Sequence, residues 1–323
     1  MFRMWPVFAV VGAALCFATT GTAQALAGVD ASPLAVGAAR ILLGGALLAI
    51  VAGSTAARSR WADGPGISSP GTPTPGIPIP VASPAFAPRR PSWPLVVVGA
   101  AGVLAYQPLF FLGTRENGVA IGTVVALGSA PVITGALDAL LRRRAPTRTW
   151  VIATTIALVG VVLVSGVVGD NATSLTPAGL LASVGAGASY AAYTLASKAL
   201  LDRGWSPTAT MGALFGWAAF ASIPLLAYAG AGWLLTPRGL ALVLWLGVVT
   251  TAVAYVLFAW GLARLRATTV STLTLAEPLG ATLLGLLVLH EHIGPVAAIG
   301  LAVIAAGLVV IALPQRTPAR AAP

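Results

Sequence analysis

Long apolar runs, interrupted by short polar or proline-containing breaks, dominate the pattern of hydrophobic and polar positions along the chain. A hydrocarbon core about 30 Å thick is crossed by about 20 helical residues, so each run is long enough to span a bilayer. Ten such segments are expected, at about residues 4 to 27, 33 to 53, 93 to 114, 118 to 141, 149 to 168, 177 to 198, 208 to 230, 238 to 262, 268 to 290 and 294 to 313. The runs are rich in Leu, Val and Ala and lack the roughly ten-residue alternation of a membrane barrel. Helices satisfy their backbone polar groups internally, as hydrocarbon requires, and the predicted class is therefore an all-α membrane protein.

Two stretches depart from this pattern. Arg3, the run from Val7 to Ala18 and the triplet Ala23-Gln24-Ala25 together imitate a secretory signal and its cleavage site. Ser54 to Ser92 is punctuated by Pro65, Pro70, Pro73, Pro75, Pro78, Pro80, Pro84, Pro88 and Pro91. Such a segment cannot bury a core and reads as an extended linker or spacer, with a peptide-recognition role as the alternative.

Sliding the second half of the chain onto the first reveals self-similarity. At an offset of 147, Phe111 meets Phe258, Ala120 meets Ala267, Pro131 meets Pro278, Gly160 meets Gly307 and Val164 meets Ile311. At an offset of 173, Val11, Gly12, Ala13, Phe17 and Ala18 meet Val184, Gly185, Ala186, Tyr190 and Ala191. The offsets differ by 26 residues, an insertion that the proline-rich linker supplies. Because the second half repeats the first helix, that helix is expected to stay rather than be cleaved. Each repeat then holds five helices, and an odd number forces the two to cross the membrane in opposite senses. The expected organisation is residues 1–53 for the first two helices and 54–92 for the linker. Residues 93–168 complete the first repeat, 177–313 form the second, and 314–323 form a tail.

Charge tests the inversion independently. Of the 323 residues 58% are apolar and 8% charged, with 18 basic against 8 acidic side chains. The excess of +10 sits in the gaps between apolar runs and makes no continuous stripe, which argues against nucleic acid and for membrane orientation. With a cytoplasmic N-terminus, the inner segments hold Arg3; Arg58, Arg60, Arg89 and Arg90; Arg142, Arg143, Arg144 and Arg148; Lys198 and Arg203; Arg264 and Arg266; Arg316 and Arg320. The outer ends hold only Arg115 and Arg238, so both termini are predicted cytoplasmic. Lys198 is the one lysine among the basic residues, a bias that accompanies GC-rich genomes and points to a bacterial inner membrane. Cys16 lies alone in an apolar run and implies neither disulfide nor lipid anchor. The sequon Asn171-Ala172-Thr173 would be idle in a bacterium.

Ten helices in two inverted repeats, each with a proline in its fourth helix, resemble the drug/metabolite transporter superfamily and in particular its EamA-like branch. Leu275-Ala276-Glu277-Pro278, then Leu287-Val288-Leu289-His290-Glu291 and Gly300 to Val310, look like the ending of that family's second repeat. Arg40 and Lys198 stand where the family often carries a base. His290 replaces the usual Gly before Glu291, and Arg144 stands where the first half of the family often has Glu. The resemblance implies a secondary transporter of a small polar metabolite, an exporter of an amino acid or related compound.

Four residues carry the candidate chemistry. Glu277 lies about ten residues into its segment, near the midplane, where an ionised group costs several kcal/mol unless it faces water or a partner. It either binds an ammonium group, carries a proton, or caps the backbone that Pro278 breaks. Arg40 could hold a substrate carboxylate or snorkel outward and anchor its helix. Tyr190 adds to its repeat partner Phe17 a hydroxyl that seeks a partner in hydrocarbon. Tyr106, Tyr193, Tyr255 and Trp260 cannot be sorted into cavity and core. Lys198 with Asp202, and Asp138 with Arg142, have the i,i+4 spacing of helix-end ion pairs. The pairs Gly118/Gly122 and Gly212/Gly216 match a helix-packing pattern. His290 and His292, two apart on a helix, point about 200° away from each other, so no metal is expected. No G-x-x-x-x-G-K-[ST] loop occurs, so the energy source is a gradient or exchange, with proton coupling open. No cofactor is implied. An integral-membrane enzyme and a non-transporting regulator that recruits partners through its linker are the alternatives.

Overall fold

A computed structural model of the chain describes residues 4–62, 92–165, 176–290, 292 and 294–313. The described residues are helical almost throughout, with no strand among them. In order they form α1 (Trp5–Ala27), α2 (Pro33–Ala62), α3 (Trp93–Asn117), α4 (Val119–Arg142), α5 (Arg148–Val164), α6 (Pro177–Asp202) and α7 (Pro207–Ala229). There follow α8 (Pro237–Arg264), α9 (Ala267–Leu273), α10 (Ala276–Val288) and α11 (Pro295–Ala312). Eight candidate membrane spans are long and apolar enough to cross a bilayer: α1, Pro33–Thr55 within α2, α3, Ile121–Arg142 within α4, α7, α8, Ala267–Val288 (α9 with α10) and α11. α5 is a shorter apolar helix of 17 residues. α6 is long but more polar, and its Ser183, Tyr190, Tyr193, Thr194 and Ser197 are buried by neighbouring helices rather than by lipid.

Local chemistry sets the helix starts. Thr147, Thr176, Ser206 and Thr236 each accept a hydrogen bond from the backbone N–H three residues on, at 3.0 to 3.3 Å, which satisfies a donor that the first turn leaves free. Pro177, Pro207, Pro237 and Pro295 open α6, α7, α8 and α11, where a missing N–H costs nothing. Buried Asn117 joins the end of α3 to the start of α6: its Oδ1 accepts from the backbone N (2.7 Å) and Oγ1 (3.0 Å) of Thr176, and its Nδ2 donates to the Thr176 carbonyl (3.2 Å).

The most extensive helix contacts join α2 to α7, α3 to α6 and α5 to α11, with α4 on α6 and with α1 on both α8 and α10. In the first and third pairs glycines bring backbones together. A Cβ on Gly160 would lie 2.6 Å from the backbone N of Ile304, one on Gly300 would lie 2.7 Å from that of Val164, and one on Gly307 2.7 Å from that of Ala157. Positions on α5 rise as those on α11 fall, so the two helices run antiparallel. Likewise Gly45 abuts Phe215 and Ala219, and Gly212 abuts Leu48 and Ala52, which makes α2 and α7 antiparallel. Polar ties supplement this packing: Trp150 Nε1 donates to the Thr268 carbonyl (3.0 Å), and the hydroxyls of Thr154 and Thr272 lie 2.8 Å apart.

Several expectations need correction. α2 is helical to Ala62, past the expected linker start at Ser54, although its membrane-spanning part, Pro33–Thr55, agrees with the expected span, because hydropathy falls at the membrane edge while the helix goes on. The expected helix from about 268 to 290 is broken in two at Thr274–Leu275. Gly118 is a turn residue with φ +81° and open space where a Cβ would be, so it makes no helix packing, whereas Gly122, Gly212 and Gly216 sit against neighbouring atoms. Linker residues 63–91, the sequon at 171–173, Glu291 and the tail at 314–323 lie outside the described residues.

Gly160→Val is expected to destabilise the protein by about 2 kcal/mol through overpacking against α11, read as a lowered Tm in detergent, whereas a substitution at exposed Val159 leaves the Tm within error.

Candidate functional site

Near the centre of the bundle lies a cavity of about 60 Å³ whose walls come from α1, α2, α3, α4, α6, α8 and the α9–α10 junction. Arg40 and Glu277, on α2 and α10, both line it, and so does Tyr190 of α6. Three of the four residues singled out by sequence thus meet in one space. Pro278 does not line it and acts through the backbone.

The junction shows how. In an unbroken helix the Thr274 carbonyl would accept from the N–H of residue 278, which proline lacks. Glu277 N donates to it instead, at 2.9 Å, in a tighter i,i+3 turn, and Leu275 N likewise reaches the Thr272 carbonyl at 3.1 Å. α9 therefore ends, and α10 restarts with Glu277 in its first turn, where the positive end of the helix dipole favours an acid. Among the described residues no protein group donates to the Glu277 carboxylate and no ion pair joins it to Arg40. The acid is half-buried and faces the cavity.

Arg40 is held by a second irregularity. Residues Val248–Val253 of α8 wind as a π-helix. Such a wide turn takes carbonyls off the regular i,i+4 ladder, and one of them, that of Thr250, accepts from Arg40 Nη2 at 3.1 Å. Arg40 Nε donates to Thr251 Oγ1, also at 3.1 Å, while both threonine hydroxyls donate back to the Leu246 carbonyl at 2.8 Å. The guanidinium therefore points into the bundle, where it satisfies protein backbone and lines the cavity. It has five N–H donors, so this arrangement leaves others for a bound anion.

Aromatic rings complete the wall. Tyr106, Tyr190, Tyr193 and Tyr255 all line the cavity. That is four of the five tyrosines in the chain, the fifth being exposed Tyr228. Phe17 packs on Tyr255 with ring centroids 5.0 Å apart, and Tyr190 on Tyr193 at 5.1 Å. The Tyr190 hydroxyl lies 2.9 Å from Thr274 Oγ1, which donates to the Ser271 carbonyl, so the phenol is the donor to Thr274 and ties α6 to the broken junction. The chemistry assembled is one carboxylate, one guanidinium and a set of phenol rings whose faces attract cations.

Lys198 stands away from this cavity. Its Nζ donates to the Leu262 carbonyl (3.1 Å) at the end of α8 and pairs with Asp202 at 3.0 Å, so it closes a helix end. Arg142 pairs with Asp138 at 2.7 Å, as the i,i+4 spacing suggests, and also with Asp202 at 3.1 Å. Sequence reasoning missed Thr250 and Thr251, whose signal was a polar doublet inside an otherwise apolar run, and did not separate the other three tyrosines from the core.

Comparison with known proteins places these features. The model of the EamA-like transporter family matches residues 4–166 and 177–313. A protein of Bacillus subtilis (strain 168) named as the uncharacterized transporter YwfM is 38% identical over 316 residues, covering 97% of this chain and 95% of that protein. A solved crystal structure with 22% identity shares the fold, with a TM-score of 0.72 over 95% of this chain and 96% of that one.

Replacing Arg40 by Leu removes both bonds to the π-helical segment. The expected cost is about 2 kcal/mol, the loss for charge-assisted hydrogen bonds to groups left buried, read as a lowered Tm in detergent. Arg40→Lys, which keeps the charge but not the fork, is expected to recover only part of it.

Proposed function

The chain belongs to the EamA-like transporter family, and from that premise we propose that it is a secondary transporter of a small polar metabolite, carrying an amino acid or related compound outward by alternating access. It is a multi-pass membrane protein, and the reading assigns ten spans, taking α9 and α10 as one, arranged as two inverted repeats with both termini cytoplasmic in a bacterial inner membrane. The observation that carries the proposal is the shared cavity of Arg40 and Glu277. A guanidinium on one side suits a carboxylate, and an acid among phenol rings on the other suits an ammonium group. Together they fit a zwitterion.

The helix contacts support a two-half arrangement. Under exchange of α1 with α6, α2 with α7, α3 with α8, α4 with α9–α10 and α5 with α11, the pairing of α3 on α6 becomes that of α8 on α1. By the same exchange α4 on α6 becomes α10 on α1. The pairs α2–α7 and α5–α11 map onto themselves, and both run antiparallel, the sense that inversion of equivalent helices requires. The cavity takes walls from both halves, where rocking of one against the other would expose it to each side in turn. Energy comes from an ion gradient or from exchange, and Glu277, with no protein donor among the described residues, is the group to bind the ammonium or carry a coupled proton.

Counterflow in proteoliposomes tests this, with amino acids, nucleosides and cationic drugs screened for wild type and Glu277→Gln under an imposed pH gradient. Flux of a zwitterionic class, at least about tenfold slower in the variant, is expected for loss of a charge contact made in the membrane interior. Unchanged flux and pH dependence in the variant would remove Glu277 from the mechanism. No flux of any class from folded protein would overturn the transporter reading itself.

A further inference from the structure

At one end of the bundle a second cavity, of about 550 Å³, lies between the first turn of α1, the last turns of α4 and α11, the start of α5 and the α8–α9 turn. It shares no lining residue with the central cavity. Four arginines line it, Arg142, Arg144, Arg264 and Arg266, against one carboxylate, Asp138.

Two of the four are already committed. Arg142 pairs with Asp138 and Asp202, at 2.7 and 3.1 Å. Arg264 donates to the Trp260 carbonyl at 2.8 Å and stacks over that indole, 3.9 Å from the ring centroid. Arg144 and Arg266 are exposed, and among the described residues neither guanidinium has a protein partner. They come from different loops, one after α4 and the other before α9, and meet at one hollow.

Orientation in the membrane accounts for basic residues at this end of the helices, but not for a concavity of ligand size between them. The lone carboxylate is spent on Arg142, so the wall carries net positive charge, which a concave surface focuses on an anion. Guanidinium groups present parallel N–H donors that match the oxygens of a phosphate, and two of them from different loops can share its non-bridging oxygens, which carry one negative charge in a phosphodiester and up to two in a free phosphate. We propose that this cavity is a phosphate-binding site in which Arg144 and Arg266 hold the phosphate group of a phospholipid headgroup or of a free solute. The proposal stands apart from the central site and survives the failure of the transport reading.

The test is thermal unfolding of the full chain, purified in detergent and stripped of lipid, in titrations with inorganic phosphate, short-chain phosphatidylglycerol and short-chain phosphatidylcholine. Chloride at equal ionic strength removes simple screening. Stabilisation by phosphatidylglycerol alone assigns a lipid headgroup, and stabilisation by inorganic phosphate as well, or alone, assigns a free phosphate group. Arg144→Gln combined with Arg266→Gln is expected to weaken the apparent affinity at least about tenfold, and the corresponding pair of Lys substitutions to restore part of it, which separates lost charge from a damaged fold. Arg238→Gln, at the opposite end of α8, is expected to leave it unchanged. No shift beyond that of chloride, or an equal loss in Arg238→Gln, would overturn the proposal.

Discussion

Hydrocarbon offers a peptide group no hydrogen-bond partner, and an unpaired N–H or C=O there costs several kcal/mol. Regular helices meet that demand by themselves, which is why nearly every described residue is helical. Irregular backbone is then tolerable only where protein supplies the missing partner. Two irregularities border the central cavity, and each is satisfied from within: Arg40 covers a carbonyl of the π-helical segment, and Glu277 N covers the carbonyl that Pro278 cannot reach. Backbone departures and polar side chains gather at the same place because each makes the other affordable.

Close packing confines the departures to that place. Glycines let α5 and α11, and separately α2 and α7, touch backbone to backbone, and none of α5, α7 or α11 contributes a side chain to the cavity wall. α6 has the opposite character. Buried between α3 and α4, it can carry Tyr190, Tyr193, Thr194 and Ser197 at a depth where a lipid-facing helix would carry Leu or Val. Its modest hydropathy is a consequence of its neighbours.

What was legible in the sequence follows the same division. Eight of the ten expected spans could be read because length and hydropathy answer to the bilayer, a constraint local to each segment, while α5 is shorter and α6 more polar than that constraint asks. The span in α2 was legible to its edge near Thr55, whereas the helix runs on to Ala62, because hydropathy reports the membrane edge and not the helix end. Glu277 and Arg40 stood out because a charge in an apolar run is costly wherever it lies. Their convergence on one cavity did not, since it depends on how α2, α8 and α10 pack. The π-helical segment was hidden for the same reason: nothing local to Val248 to Val253 marks a wide turn, and the guanidinium that its Thr250 carbonyl meets comes from another helix. Tyr190 could be singled out only by comparison with Phe17, and Tyr106, Tyr193 and Tyr255 differ from core aromatics solely in what they face.

Under the two-half reading the scaffold is symmetric but its chemistry is not. The position equivalent to Glu277 is Ala130, and the position equivalent to Arg40 is Ala213. Each half therefore brings one charge and lacks the other, while the equivalent rings Phe17 and Tyr190 face the cavity from both. On that reading neither half alone would hold a zwitterion, because the guanidinium and the carboxylate come from different halves. A cargo bridging Arg40 and Glu277 would draw the halves together around itself, and an empty site would leave its acid unpaired. Under the proposed function, division of the charges between halves in this way would couple occupancy of the site to the relative position of its walls, which is the property that alternating access demands.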